Sequence, residues 1–100
     1  APLSFASLRL DSSTHTVSSG SQSAHLTKTE SAILKLLMQN PNQALSKGVI
    51  LDRISLDTPD CTESSLKQHV SNLRKKLKAL CGRDYIQSVW GIGFLLTEES

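Results

Sequence analysis

Residues 65–80 read SLKQHVSNLRKKLKAL, and large apolar side chains occur there only at Leu66, Val70, Leu73, Leu77 and Leu80. At ~100° per residue these five positions fall within one narrow arc, so the stretch is a helix buried along one side for most of its length. Ser64, Gln68, Ser71 and Lys75 lie diametrically opposite, with Asn72 and Lys78 beside them. Hydroxyl and amide groups therefore come early on the outer face and ammonium groups late. Amides can form paired bonds with adenine N6 and N7, hydroxyls serve several base edges, and Lys or Arg neutralises phosphate. The alternative is a merely solvated helix face. Such a face more often carries Glu four residues before Lys, whereas the only acid here is Glu63.

Charge placement agrees with a polyanionic partner. The net charge is only +2, but residues 62–83 hold six cations (Lys67, Arg74, Lys75, Lys76, Lys78 and Arg83) against Glu63, a net of +5 that leaves −3 for the rest. Positive potential is thus concentrated on one element. At 100 residues the chain is one domain with one core. No apolar run approaches the ~20 residues of a membrane span, so no membrane partner is expected. The start, Ala1-Pro2-Leu3, lacks an initiator Met and any export signal. It reads as a piece of a longer cytoplasmic protein. Cys61 and Cys81 flank the striped helix, whose ~1.5 Å rise per residue holds them beyond the ~7 Å limit for a disulfide, so free thiols are expected. Neither C-x-x-C nor H-x-x-x-H occurs. We therefore expect no metal site and no cofactor.

The remaining segments change period along the chain. Residues 3–26 alternate in short runs separated by Asp, Ser and Gly, which predicts three or four antiparallel strands, with His15 and His25 as half-exposed strand residues rather than ligands. Thr27 followed by Glu30 forms a capping box for a helix with Ile33, Leu34, Leu37 and Met38 on its buried side, stopping before Pro41. Ser46 caps a second helix running to about Ile54, with Leu45 and Ile50 as a hydrophobic staple. Residues 55–62 hold Asp57, Pro59 and Asp60, which predicts an exposed loop ending at Asp60 or Thr62 as cap of the third helix. Residues 85–90 and 94–96, around Gly91 and Gly93, predict a hairpin.

Helix, short helix, loop, long helix and glycine-containing hairpin together make an α+β winged helix-turn-helix. The stretches HLTKTESAILKLLMQNPNQALSKGVILDRI, SLKQHVSNLRKKL and YIQSVWGIGFLL closely resemble the output domain of OmpR/PhoB-type bacterial response regulators. With the strand-rich start, the resemblance covers nearly all of residues 1–100. It implies a four-stranded N-terminal sheet on three helices, the third helix in the major groove of double-stranded DNA and the hairpin wing at the adjacent minor groove. It also implies an N-terminal receiver domain elsewhere in the full protein, a homodimer, and RNA polymerase as partner of the loop between the second and third helices, here with Asp57 and Asp60. The family's V-x-x-H-I-x-x-L-R-x-K-L falls on Leu66, His69, Val70, Leu73, Arg74, Lys76 and Leu77. His69 then resembles a backbone contact, unless it only packs beside the core. Ser65, Gln68, Ser71, Asn72 and Lys75 match positions that meet bases or nearby phosphates, and Lys78 extends the phosphate row. Ser64 joins this face. Arg74 matches a position that serves either phosphate binding or an internal ion pair.

Two departures stand out. Ser71 and Asn72 stand where the family often has arginine, which favours an A·T-leaning site. The wing pattern V-R-G-x-G-Y becomes Val89-Trp90-Gly91-Ile92-Gly93-Phe94. The minor-groove arginine is gone, and Trp90 either stacks on a sugar or packs on its neighbours. The two glycines suit a tight turn and a close backbone approach. Two other functional classes compete with this one. An enzyme would need a nucleophile with a base, paired carboxylates or a metal constellation, and no such pattern stands out. A winged helix used chiefly for protein contact, with polymerase or a dimer partner, is the alternative reading.

Overall fold

The computed structural model describes residues 3–98; Ala1, Pro2 and residues 99–100 at the ends of the predicted domain lie outside the described residues. Four short strands come first: β1 (Leu3–Phe5), β2 (Leu8–Asp11), β3 (Thr16–Ser19) and β4 (Gln22–His25), an antiparallel meander in the order β1-β2-β3-β4. Alternation sends Leu8, Leu10 and Val17 inward, where each is fully buried, and leaves Arg9 and Asp11 outside. The number of strands is four. His15 departs from the expected strand position: it sits in the β2–β3 turn with φ 53°. His25 ends β4 and is exposed. A turn residue needs a conformation that strand periodicity cannot signal.

Helix α1 (Lys28–Gln39) starts at the expected box: Glu30 N–H donates to Thr27 Oγ1 at 3.1 Å, and Thr27 N–H donates to Glu30 Oε1 at 2.9 Å. It ends at Asn40, whose side-chain amide donates to Leu36 O at 3.0 Å. Ahead of α2 (Lys47–Ile54) lies a two-residue strand, β5 (Leu45–Ser46). Ser46 also caps α2, accepting from Val49 N–H at 3.1 Å, and the staple residues Leu45 and Ile50 are both buried. Helix α3 (Glu63–Cys81) takes Thr62 rather than Asp60 as its cap. Its stripe buries Leu66, Val70, Leu73 and Leu77, while Leu80, in the last turn, is only partly covered.

The hairpin follows as β6 (Ile86–Val89) and β7 (Gly93–Leu96). Strand β5 pairs with the other edge of β7 to make a three-stranded sheet, order β5-β7-β6, one strand more than the hairpin predicted. The wing is joined to the first sheet at its base, where Tyr85 meets Phe5 edge-on at 6.0 Å and its hydroxyl lies 3.3 Å from Ser7 Oγ. Apolar residues from both sheets and all three helices form a single core. No helix among the described residues is long and apolar enough to cross a membrane.

Candidate nucleic-acid interface

Helix α3 is gripped on two flanks, and the grip decides which polar side chains remain outside. On one flank Lys76, one of the six cations of residues 62–83, donates from Nζ to Glu30 Oε1 at 2.6 Å and to His25 O at 3.3 Å. Glu30 is 2% exposed and also closes the α1 capping box. Its carboxylate thus joins α1 to α3, and Lys76 is committed to the fold. On the other flank Arg74 makes a two-pronged pair with Asp84, Nη2 to Oδ2 at 2.6 Å and Nε to Oδ1 at 3.3 Å. Of the two readings held for Arg74, the internal ion pair is the one formed, although both partners remain about a third exposed. Four cations of the segment, Lys67, Lys75, Lys78 and Arg83, make no ion pair among the described residues.

The outer face divides in the same way. Ser71, Arg74, Lys75 and Lys78 line a cleft whose far wall is the wing, Ser88 to Phe94, and whose floor includes Val70. Lys67 and Lys47 line it too. Sequence reasoning left Lys67 out of the site, yet its position four residues before Ser71 puts it on the same flank. Gln68 is exposed, and its Nε2 donates to Asn72 Oδ1 at 3.1 Å. This pairing orients both amides while leaving Gln68 Oε1 and the Asn72 amino group free to bond outward. Ser65 is used locally: Thr62 N–H donates to its Oγ at 2.9 Å, and its own N–H reaches Thr62 Oγ1 at 3.3 Å. Ser64 Oγ lies 3.2 Å from Thr62 Oγ1. Both serines therefore help to fix the start of α3.

His69 is half-buried and faces the α2–α3 loop, sharing a small hollow with Lys28, Asp57, Asp60 and Cys61. Within that loop Asp57 and Asp60 are exposed and Leu56 is 95% exposed. Thr58 is the exception to the expected exposure: it is buried, with Oγ1 donating to Ile54 O at 3.0 Å. Trp90, at the wing apex, is 98% exposed, so the packing alternative does not hold. Both cysteines are free thiols. No group of three or more His, Cys, Asp or Glu among the described residues could hold a metal ion.

Comparison with known proteins follows the same outline. The C-terminal domain of the nisin resistance regulator NsrR, a lantibiotic response regulator, superimposes with a TM-score of 0.88 at 30% identity, covering 98% of this chain and 99% of that one. The DNA-binding domain of the response regulator AdeR, solved in complex with an intercistronic region, gives 0.79 at 28% identity over 94% of this chain and 96% of that one. The Klebsiella pneumoniae RstA DNA-binding domain, solved with the RstA box, gives 0.77 at 27% over 96% of each. Response regulator MprA of Mycobacterium sp. (strain KMS) is 35% identical over 97 residues, which are 96% of this chain and 42% of MprA. The chain therefore spans about two fifths of the curated relatives it matches. A family model described as "Transcriptional regulatory protein, C terminal" matches residues 21–96, and the chain belongs to that family, the OmpR/PhoB-type winged helix-turn-helix DNA-binding domains.

Proposed function

We propose that this domain reads double-stranded DNA as the output module of a cytoplasmic bacterial response regulator, with α3 in the major groove and the wing beside the adjacent minor groove. The observation that carries the reading is the outer face of α3. It presents the coupled Gln68–Asn72 amides and, on the cleft side, Lys67, Lys75 and Lys78, with no acid after Glu63. That arrangement pairs base-reading groups with phosphate-neutralising ones. The DNA complexes of AdeR and RstA support the same use here. The match spans only 42% of MprA, a response regulator, and from the family resemblance we infer a receiver domain in the full protein, and with it a phosphorelay and a homodimer. We assign the domain no catalytic chemistry. The deciding experiment is a duplex titration over a salt series. DNA reading requires log K to fall steeply with log salt, whereas a domain built chiefly for protein contact would show weak, shallow binding.

Lys75→Ala and Lys78→Ala are each expected to flatten that slope by about 0.9 and to weaken all duplexes alike, because phosphate contacts carry no base information. Slopes identical to the parent's in both variants would put the basic row outside the interface. Gln68→Ala and Asn72→Ala should each cost ~1 to 3 kcal/mol on the preferred site and relax discrimination at one base pair, with little change on nonspecific duplex. Since the two amides bond each other, the double variant should cost less than the sum of the singles. Retention of the full base preference by both single variants would move specificity to DNA shape or to the wing. Melting temperature is the control, as neither side chain lies in the core.

The α2–α3 loop is read as the RNA polymerase contact. Exposed Asp57 and Asp60 flank a short stretch beside Leu56, an apolar anchor rimmed by charge. Charge-reversing substitutions at Asp57 and Asp60 should lower transcription from a cognate promoter in the full protein while leaving duplex affinity intact. Undiminished transcription with the loop replaced by a neutral linker would refute this.

A further inference from the structure

The wing carries no cation: from Tyr85 to Glu98 the chain has no Lys, Arg or His. Its apex instead exposes two apolar side chains, Trp90 at 98% and Ile92 at 52%. The indole is presented on a stiff support. Ile92 N–H donates to Val89 O at 3.0 Å and Gly91 has φ +77°, as the third residue of a type II turn requires. Behind the turn, β6 is paired with β7 and β7 with β5. A tryptophan held in water at the tip of a braced hairpin loses its apolar contact unless something outside the domain covers it.

The occupant follows from what lies across the cleft. Trp90 shares that cleft with Ser71, Lys75 and Lys78, so the wing apex and the outer face of α3 open to the same side. A duplex whose major groove receives α3 presents, next along its axis, a phosphate ridge and then the narrower minor groove. A cationic wing would hold that ridge by charge. This one offers no cation, and at its apex the large exposed side chains are an indole and an isoleucine. We propose that Trp90, flanked by Ile92, is an apolar minor-groove contact, its ring seated against the sugars and base edges of the groove. The contact deepens the DNA-binding reading, on which it rests. Apolar side chains inserted at the minor groove work through burial and partial unstacking, and an aromatic face accepts any base or sugar beside it. The contact should therefore add affinity that salt does not remove.

Trp90 is the only tryptophan in the chain, so its emission reports on this contact alone. We would titrate the domain with short A·T-rich and mixed-sequence duplexes across a salt series, following both binding and indole emission. Saturation should quench the emission. Trp90→Ala should lose about tenfold in affinity with an unchanged salt slope, and Trp90→Arg should regain affinity while steepening the slope by about 0.9. Filling the minor groove beforehand with a groove-binding polyamide should erase the difference between the parent and Trp90→Ala. A parent that binds duplex with a steep slope, yet shows unchanged emission and no loss in Trp90→Ala, overturns the wedge alone and leaves the α3 interface standing. An affinity difference that survives the polyamide overturns the groove assignment. A parent with no salt-dependent duplex binding overturns the interface and the wedge together. The indole touches nothing in the core, so equal melting temperatures of parent and variants confirm that the comparison is one of contacts.

Discussion

Lys76→Met is expected to lower the unfolding free energy by about 3 kcal/mol, because it strands the Glu30 carboxylate in the interior. Glu30 is 2% exposed and accepts from two donors of different kinds, the Lys76 ammonium at 2.6 Å and the Thr27 backbone N–H at 2.9 Å. Removing the cation leaves a buried anion with one neutral donor. Most of the cost of breaking such a pair comes from the charge left behind, not from the Coulomb energy lost. The low end of the usual range applies, since Lys76 is 35% exposed and water already reaches part of the pair. For a domain of this size the melting temperature should fall by roughly 12 °C or more. Adding Glu30→Gln to the variant removes the stranded charge while keeping an acceptor for Thr27, and should bring stability back to within about 1 kcal/mol of the parent. The Arg74–Asp84 pair offers the contrast: its partners are 35% and 38% exposed, and Arg74→Ala should cost no more than about 1 kcal/mol. A Lys76→Met variant that melts with the parent would mean that the carboxylate is solvated, and that α1 and α3 are joined by their apolar faces alone.

That pair also marks the boundary of what the sequence discloses. The stripe of α3 could be read because helical period is a local property, and four of its five residues are fully buried. Thr27 with Glu30, and Ser46 before Val49, were equally legible, since a cap needs only a hydroxyl or carboxylate a few residues from an unbonded N–H. For the third helix two caps competed; Thr62 is the one formed, with Ser65 returning its bond to complete a reciprocal box, although Glu63 stands at the same spacing after Asp60. Lys76 counts among the six cations of residues 62–83, and nothing near it in the chain announces Glu30. The same holds for Arg74 and Asp84. Such partners are chosen by packing, which brings distant segments together only after the helices have docked. Of the cations counted in residues 62–83, Lys76 is thus committed to the fold and Arg74 to an ion pair, while Lys67 joins the cleft. Strand β5 was hidden for another reason: two residues carry no period, and Leu45 and Ser46 had already been accounted for as staple and cap.

Gly93→Ala is expected to cost about 3 kcal/mol, and to weaken duplex binding as well, because the added methyl has nowhere to go. A Cβ at Gly93 would stand 2.0 Å from Leu45 O and 3.0 Å from both Leu45 C and Ser46 Cα. All three are backbone atoms, so no side chain can swing aside to make room. Relief requires β5 to separate from β7, where Ser46 is paired with Gly93 and Leu45 with Phe94. Leu45 is buried and Ser46 caps α2, so the displacement would disturb the core and the start of α2 together. It would also loosen the wing, since Gly93 pairs with Val89 on the opposite edge of β7, directly beside Trp90. Gly91 separates this effect from a general sensitivity of the hairpin. Nothing lies within 4 Å of a Cβ there, and only its φ of +77° resists a side chain. Gly91→Ala should therefore cost ~1 to 2 kcal/mol, the penalty of a left-handed conformation. Thermal melts of the two variants, with duplex titrations beside them, decide the matter. Equal losses in both would show that β5 yields without strain and that the two glycines serve one purpose, the turn. A loss at Gly93 clearly larger than at Gly91, with the wing's share of DNA affinity falling alongside it, would establish the close approach of β5 and β7 as the brace that holds the wing in place.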